Sequence, residues 1–217
     1  MQFKKLFFLI IAVVSLALQP SLHGQNGFFG NRHILHGPTE LELDPSKVFV
    51  YIDNSNTANF EEIRILRASS FLESDLISRF DHEKTYWLYY QIINSTEETL
   101  SHVIEGGANS KETYYVAYDD SADIIIKKTG YHFAANERDI PQGYTTKIQL
   151  NNPPQSTAHV YVKIDSQDGM PININAEITP FDQWDNNRDK INLFEGVFGG
   201  LLFVIIIVGL FLFFYTG

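Results

Sequence analysis

Residues 145–164 read TTKIQLNNPPQSTAHVYVKI, and this stretch decides the fold class. Lys147 and Gln149 alternate with Ile148 and Leu150, and Tyr161 and Lys163 alternate with Val162 and Ile164. Successive side chains of a β-strand point to opposite faces, so a period of two sets one face of each strand against a core and leaves the other wet. Working outward, comparable runs of β-branched and aromatic residues cover 48–52, 86–93, 100–104, 113–118, 124–128 and 172–178. Short strands separated by turn residues at this spacing indicate an antiparallel sandwich or barrel. Asp119-Asp120-Ser121 separates two of the runs, and Ser166-Gln167-Asp168-Gly169 supplies the Asp-Gly corner favoured in hairpins. The segment 60–80 departs from this pattern: Phe60, Ile63, Arg64 and Arg67 stand at helical spacing and predict a short helix or an irregular turn. Residues 25–40 are rich in Gly, Asn and His without an apolar period, and read as a flexible lead-in.

The two ends of the chain carry a large share of its apolar residues. Lys4 and Lys5 precede the apolar run 6–18, which gives way to Gln19, Pro20, Ser21 and Gly24. That order of charged, apolar and polar segments is the signature of a secretory signal, and the run falls short of the roughly 20 residues a bilayer-crossing helix needs. A signal peptide over 1–24, cleaved near Gly24, is therefore expected. Residues 196–217 contain no charged side chain and are mostly Leu, Ile, Val and Phe. At about 1.5 Å per residue they span a hydrocarbon core of about 30 Å. Trp184, Arg188 and Lys190 stand just before them, where aromatic and long cationic side chains suit headgroups. Thr179-Pro180-Phe181-Asp182 has the cap, first-turn proline and carboxylate of a helix start. The expected organisation is a β-sandwich over 41–180, a juxtamembrane helix over 181–192 and a transmembrane helix over 193–215, with the β domain outside the membrane.

Composition excludes several function classes. The 217 residues are 44% hydrophobic, enough to bury a core. Losing Lys4 and Lys5 with the signal takes the formal charge from −10 to −12, a poor surface for nucleic acid. Without cysteine there is no disulfide staple and no thiolate chemistry, so core packing must hold the domain.

Candidate chemistry is sparse. Asp119, Ser121 and Asp123 resemble the opening of a calcium loop but lack its central glycine and closing glutamate, so a hairpin turn explains them better. His33 and His36 have no Cys or acidic partners for zinc. No metal site, cofactor or catalytic residue is assigned, and no enzyme activity is expected. Asn94-Ser95-Thr96 fits an N-glycosylation acceptor. The aromatic run 86–91 suits a central strand with Trp87 and Tyr89 on one face and Tyr86, Leu88 and Tyr90 on the other, packed in a core. The alternative is a ring platform for sugars on an exposed sheet face.

Several segments together resemble the DISM extracellular domain 2 type, the extracellular sensor domain preceding seven-transmembrane receptors of the bacterial DISM class. Val50-Tyr51-Ile52-Asp53 with Phe60-Glu61-Glu62-Ile63 looks like its opening, and Tyr86-Trp87-Leu88 with Asn94-Ser95 like its aromatic strand and exit turn. Gly130, Phe133 and Arg138 match its middle loop, and Val160-Tyr161-Val162-Lys163 its penultimate strand. The run from Phe194-Glu195-Gly196 to Leu201 looks like the start of the first of seven spans. One departure is Tyr89, where an arginine often stands two places after the tryptophan.

The resemblance implies a jelly-roll-like antiparallel β-sandwich, an all-β fold akin to carbohydrate-binding modules, that senses a ligand outside a bacterial cell membrane, in the periplasm or beyond. It also implies six further spans and an intracellular output module past Gly217. A membrane-tethered carbohydrate-binding module without output is the alternative. The ligand expected is small and polar or carbohydrate-like, and Tyr114, Tyr118, His132 and Arg138 are the candidate binding residues, since ring faces and directed polar groups serve sugars.

Overall fold

The computed structural model describes residues 32–74, 80–81, 83–119, 121–141, 143, 145–165 and 172–216. The expected signal segment and the turn 166–169 lie outside the described residues. The strands are β1 (His33–Leu35), β2 (Leu41–Glu42), β3 (Phe49–Asp53), β4 (Leu72–Glu73), β5 (Thr85–Asn94), β6 (Leu100–Glu105), β7 (Lys111–Tyr118), β8 (Ile124–Thr129), β9 (Lys147–Asn152), β10 (Thr157–Asp165) and β11 (Glu177–Pro180). Helix α1 covers Phe60–Arg64 and α2 covers Phe181–Thr216.

Two sheets form a sandwich. The larger runs β4-β3-β5-β10-β7-β8 with β1 added beside β5, and the smaller runs β2-β11-β6-β9. From β5 onward every connection changes sheet except the β7–β8 hairpin, a jelly-roll-like alternation. The pairings are antiparallel apart from β1 with β5. The expected all-β sandwich followed by an apolar helix is the fold observed.

The period of two explains the core. Tyr86, Leu88, Tyr90 and Ile92 of β5 join Val160, Val162 and Ile164 of β10 against Ile104, Ile148, Leu150 and Ile178 of the smaller sheet. The other face of the larger sheet is also covered. Trp87, Tyr89 and Tyr161 pack beneath Phe60 and Ile63 of α1 and beneath Phe71. Helix α1 is short, and a capping box fixes its start: Asn59 Oδ1 accepts from the Glu62 amide at 3.1 Å while Glu62 Oε2 accepts from the Asn59 amide at 2.9 Å. Phe60 stacks on Tyr115 with ring centroids 4.6 Å apart. Trp87 is 0% and Tyr89 1% exposed, so the sugar platform is corrected: both faces of this strand are buried.

Three other sequence readings change. The lead-in holds a strand, β1, whose His33 and Leu35 point inward while Ile34 is exposed. The run 172–178 is not one strand, because 172–176 have no ladder and β11 begins at Glu177. Strands β10 and β11 lie in different sheets, so these two strands do not pair as a hairpin.

His33 sits beneath the sheet, and burial, aided by Lys47 and opposed by Asp44, holds its imidazole down at about 4. Between pH 6.5 and 4 the unfolded chain then binds more protons than the folded one, so stability present at neutral pH is lost as pH falls through that window. We expect urea unfolding of the wild type to lose about 2 kcal/mol more between pH 7 and pH 4 than that of His33→Phe. Equal losses would contradict a buried neutral His33.

Candidate functional site

On β7 the inward phase set by Tyr114, Val116 and Tyr118 also contains Glu112, so the strand turns a carboxylate into the sandwich. Glu112 is 3% exposed. Asn109 Nδ2 donates to its Oε1, and Tyr114 Oη donates to its Oε2 at 2.9 Å. Burial pushes the Glu112 carboxyl up, while hydrogen bonds from Asn109, Thr146 and Tyr114 pull it down. Two strands away in the same sheet and also facing inward, Tyr90 of β5 is 2% exposed, and its Oη has no hydrogen-bond partner among the described residues. Burial and the Glu112 charge both push the Tyr90 phenol up.

A cavity of about 10 Å³ lies between these groups, lined by Glu112, Tyr90 and Tyr114 over Leu43, Leu88 and Val162. That is about the room one water needs. Residues 173–176 close it as a strap. The Asn109 amide clamps the strap by both ends: Oδ1 accepts from the Asn173 amide at 2.9 Å and Nδ2 donates to the Asn173 carbonyl at 2.6 Å. Farther along, the Leu43 amide donates to the Ala176 carbonyl at 2.9 Å. The strap also presses on Gly107, where an added Cβ would lie 2.4 Å from Asn173 Cβ. Only glycine permits that approach.

The four sequence-derived binding residues do not assemble into one site. Tyr114 lines the internal cavity. Tyr118, at the other end of β7, donates to the Asn151 carbonyl at 2.6 Å. His132 is exposed on the loop after β8, its ring edge-on to Tyr131. Arg138 is occupied within that loop, donating from Nε to the Phe133 carbonyl at 2.9 Å and from Nη2 to the Tyr131 carbonyl at 3.1 Å. It also lines an open surface cleft of about 480 Å³ with Lys127, Lys128, Glu137 and Asp139. Asp119 bonds His159 Nε2 through Oδ1 at 2.6 Å, at the end of the β7–β8 hairpin. The sequence reading missed Glu112, Asn109, Tyr90 and Asn173 as a group; the usable signal was a carboxylate in the apolar phase of β7.

The second functional feature is the root of α2. No residue intervenes between Pro180, the end of β11, and Phe181. Trp184 is 9% exposed, with Lys147 Nζ 5.8 Å and the Arg188 guanidinium 5.2 Å from its ring centre. Gln183 Nε2 donates to Glu40 Oε1. From Ile191 to Phe211 the apolar side chains of α2 are exposed, and the helix is long and apolar enough to cross a membrane.

No curated protein sequence matches this chain. Among solved structures, the GH26-CBM35 β-(1,4)-mannanase of Podospora anserina is similar at 12% identity and a TM-score of 0.27, over 66% of this chain and 28% of that one. The family model described as 7TMR-DISM extracellular 2 matches residues 46–177, which takes in β3 to the start of β11 and the whole internal cavity apart from Leu43. The chain belongs to the 7TMR-DISM extracellular 2 family.

Proposed function

We propose that this chain is the sensory end of a bacterial membrane receptor, exported by its N-terminal signal and displaying the sandwich in the periplasm or outside the cell. It recognises a small polar or carbohydrate-like ligand and passes the change to further spans and an output module, without catalytic turnover. The observation that carries this reading is the joint between β11 and α2. A binding module that is only tethered needs a linker of any kind, whereas here the last strand of the smaller sheet continues directly into the membrane helix, and Trp184 seats that helix against Lys147 at the start of β9. Family membership supports the same reading.

The test is a thermal-shift screen of the full chain in nanodiscs against glycans, amino acids and organic acids, followed by hydrogen exchange with any compound that raises the melting temperature. A sensor is expected to show altered protection at the binding site and also over residues 177–188. Protection that changes at the site alone would favour the tethered carbohydrate-binding module, and turnover of a glycan would show an enzyme.

A further inference from the structure

We infer that the internal cavity beneath the strap is the head-group site for a small protonated amine. The inference rests on the sensor reading and names the ligand class and the site that serve it.

Three observations meet at this cavity. Glu112 is a carboxylate inside an apolar sandwich, and among the described residues no Lys, Arg or His pairs with it; Lys147, the nearest cation along β9, is bridged to Glu105 at 3.4 Å. Buried carboxylates are ordinarily compensated by a cation or a metal, or are neutralised. Asn109 and Tyr114 donate to the carboxylate, which leaves acceptor capacity, since two oxygens offer about four lone-pair positions. Tyr90 Oη, 98% buried by its 2% exposure, lines the same cavity without a partner. A buried hydroxyl left unbonded calls for an explanation. The remaining wall is Leu43, Leu88 and Val162, suited to an alkyl group.

An ammonium head meets these requirements together. It brings the positive charge that Glu112 lacks and directs N–H donors at a carboxylate oxygen and at Tyr90 Oη. A hard metal ion would want six or more oxygens, more than these side chains offer. An anion would meet the Glu112 charge. The closed cavity, at about 10 Å³, holds one water-sized group, which suffices for the ammonium nitrogen alone. Any attached carbon must displace the strap at Asn173, where the Asn109 amide holds it. The strap leads into β11 and so into α2, so filling this cavity moves the chain that roots the membrane helix.

The experiment uses the full chain in nanodiscs at pH 7.5 and constant ionic strength, titrated with methylammonium chloride, and with sodium chloride and tetramethylammonium chloride as controls. Methylammonium is expected to give a saturable rise in melting temperature together with faster exchange over 172–176. Sodium and tetramethylammonium, which have no N–H, are expected to give neither. Glu112→Gln should abolish the response. Tyr90→Phe, which removes one unpaired hydroxyl and little volume, should keep the fold and weaken methylammonium binding about tenfold, so it decides the matter if Glu112→Gln fails to fold. Indistinguishable curves for methylammonium and sodium, or a response undiminished in Tyr90→Phe, overturn the amine site. A sugar or organic acid that stabilises the chain where methylammonium does not overturns the amine site and leaves the sensor reading standing. Methylammonium binding lost in Glu112→Gln, with exchange at 177–188 unchanged in the wild type, supports the site and overturns the receptor reading.

Discussion

Trp87→Ala is expected to lower the unfolding free energy of the domain by about 4 kcal/mol, the range for truncating a large aromatic in a packed core. The indole is fully buried at the centre of the larger sheet, tilted against Tyr115 at 5.7 Å between ring centres and capped by Lys163 Nζ at 5.5 Å. It belongs to the outer layer made with α1, not to the space between the sheets. Removing it empties a volume that a five-residue helix and one sheet face cannot close by relaxing. Its Nε1 has no partner among the described residues, so the loss is one of packing, and Trp87→Phe should recover more than half of it. Urea unfolding followed by far-ultraviolet circular dichroism measures both variants. A loss below about 1 kcal/mol for the alanine variant, the median of ordinary substitutions, would mean that the outer layer is not a second core.

Asn94→Ala is expected to cost about 3 kcal/mol, because three carbonyls that share its two N–H groups lose their donor at once. Asn94 Nδ2 donates to the carbonyls of Glu98, Asn152 and Pro153 at 2.8, 3.0 and 2.8 Å. Its Oδ1 accepts from the Thr96 amide at 2.9 Å and the Thr96 hydroxyl at 2.7 Å. One side chain thus ties the β5–β6 turn to the β9–β10 turn, both of which cross between the two sheets. Asn94→Asp should cost nearly as much, since a carboxylate cannot donate. This also corrects the glycosylation motif at Asn94-Ser95-Thr96. The amide nitrogen that a glycan would need is buried and spent on three bonds, so the folded chain should gain no mass when exposed to a glycosylating enzyme.

These residues show which parts of the structure were legible in the sequence. Strands β6, β7, β9 and β10 are read from alternation because each turns one face to the core, and burial imposes the period of two that a reader can see; β5, buried on both faces, and β8, mostly exposed, are read from their β-branched and aromatic content alone. Strand β1 escapes notice because three residues cannot establish a period, least of all when His33 is the inward one. Residues 172–176 mislead in the opposite sense. Ile172, Ile174 and Ala176 alternate and pack on the core, yet their backbone turns to a side-chain amide and to Leu43, so the pattern marks burial without a ladder. The candidate site was harder still. Tyr114 is legible as inward-facing, but the importance of Glu112 arises from Tyr90 on another strand and from Asn109 and Asn173, which stand 64 positions apart. Arg138 looks like a ligand residue in sequence because nothing local announces that its donors are taken by carbonyls five and seven positions back.

The unbroken passage from Pro180 into α2 has a geometric consequence. The fifteen residues before the charge-free stretch, 181–195, form a rod of roughly 22 Å at 1.5 Å per residue. A rod fixed at one end by a docked indole acts as a lever arm. A tilt of about 5° at Phe181 displaces the point of membrane entry sideways by roughly 2 Å over that length, more than the sub-ångström adjustments that packed cores ordinarily allow. The sandwich can therefore stay closely packed while its far attachment travels, and the gain of the device is set by the number of helical turns that stand clear of the bilayer.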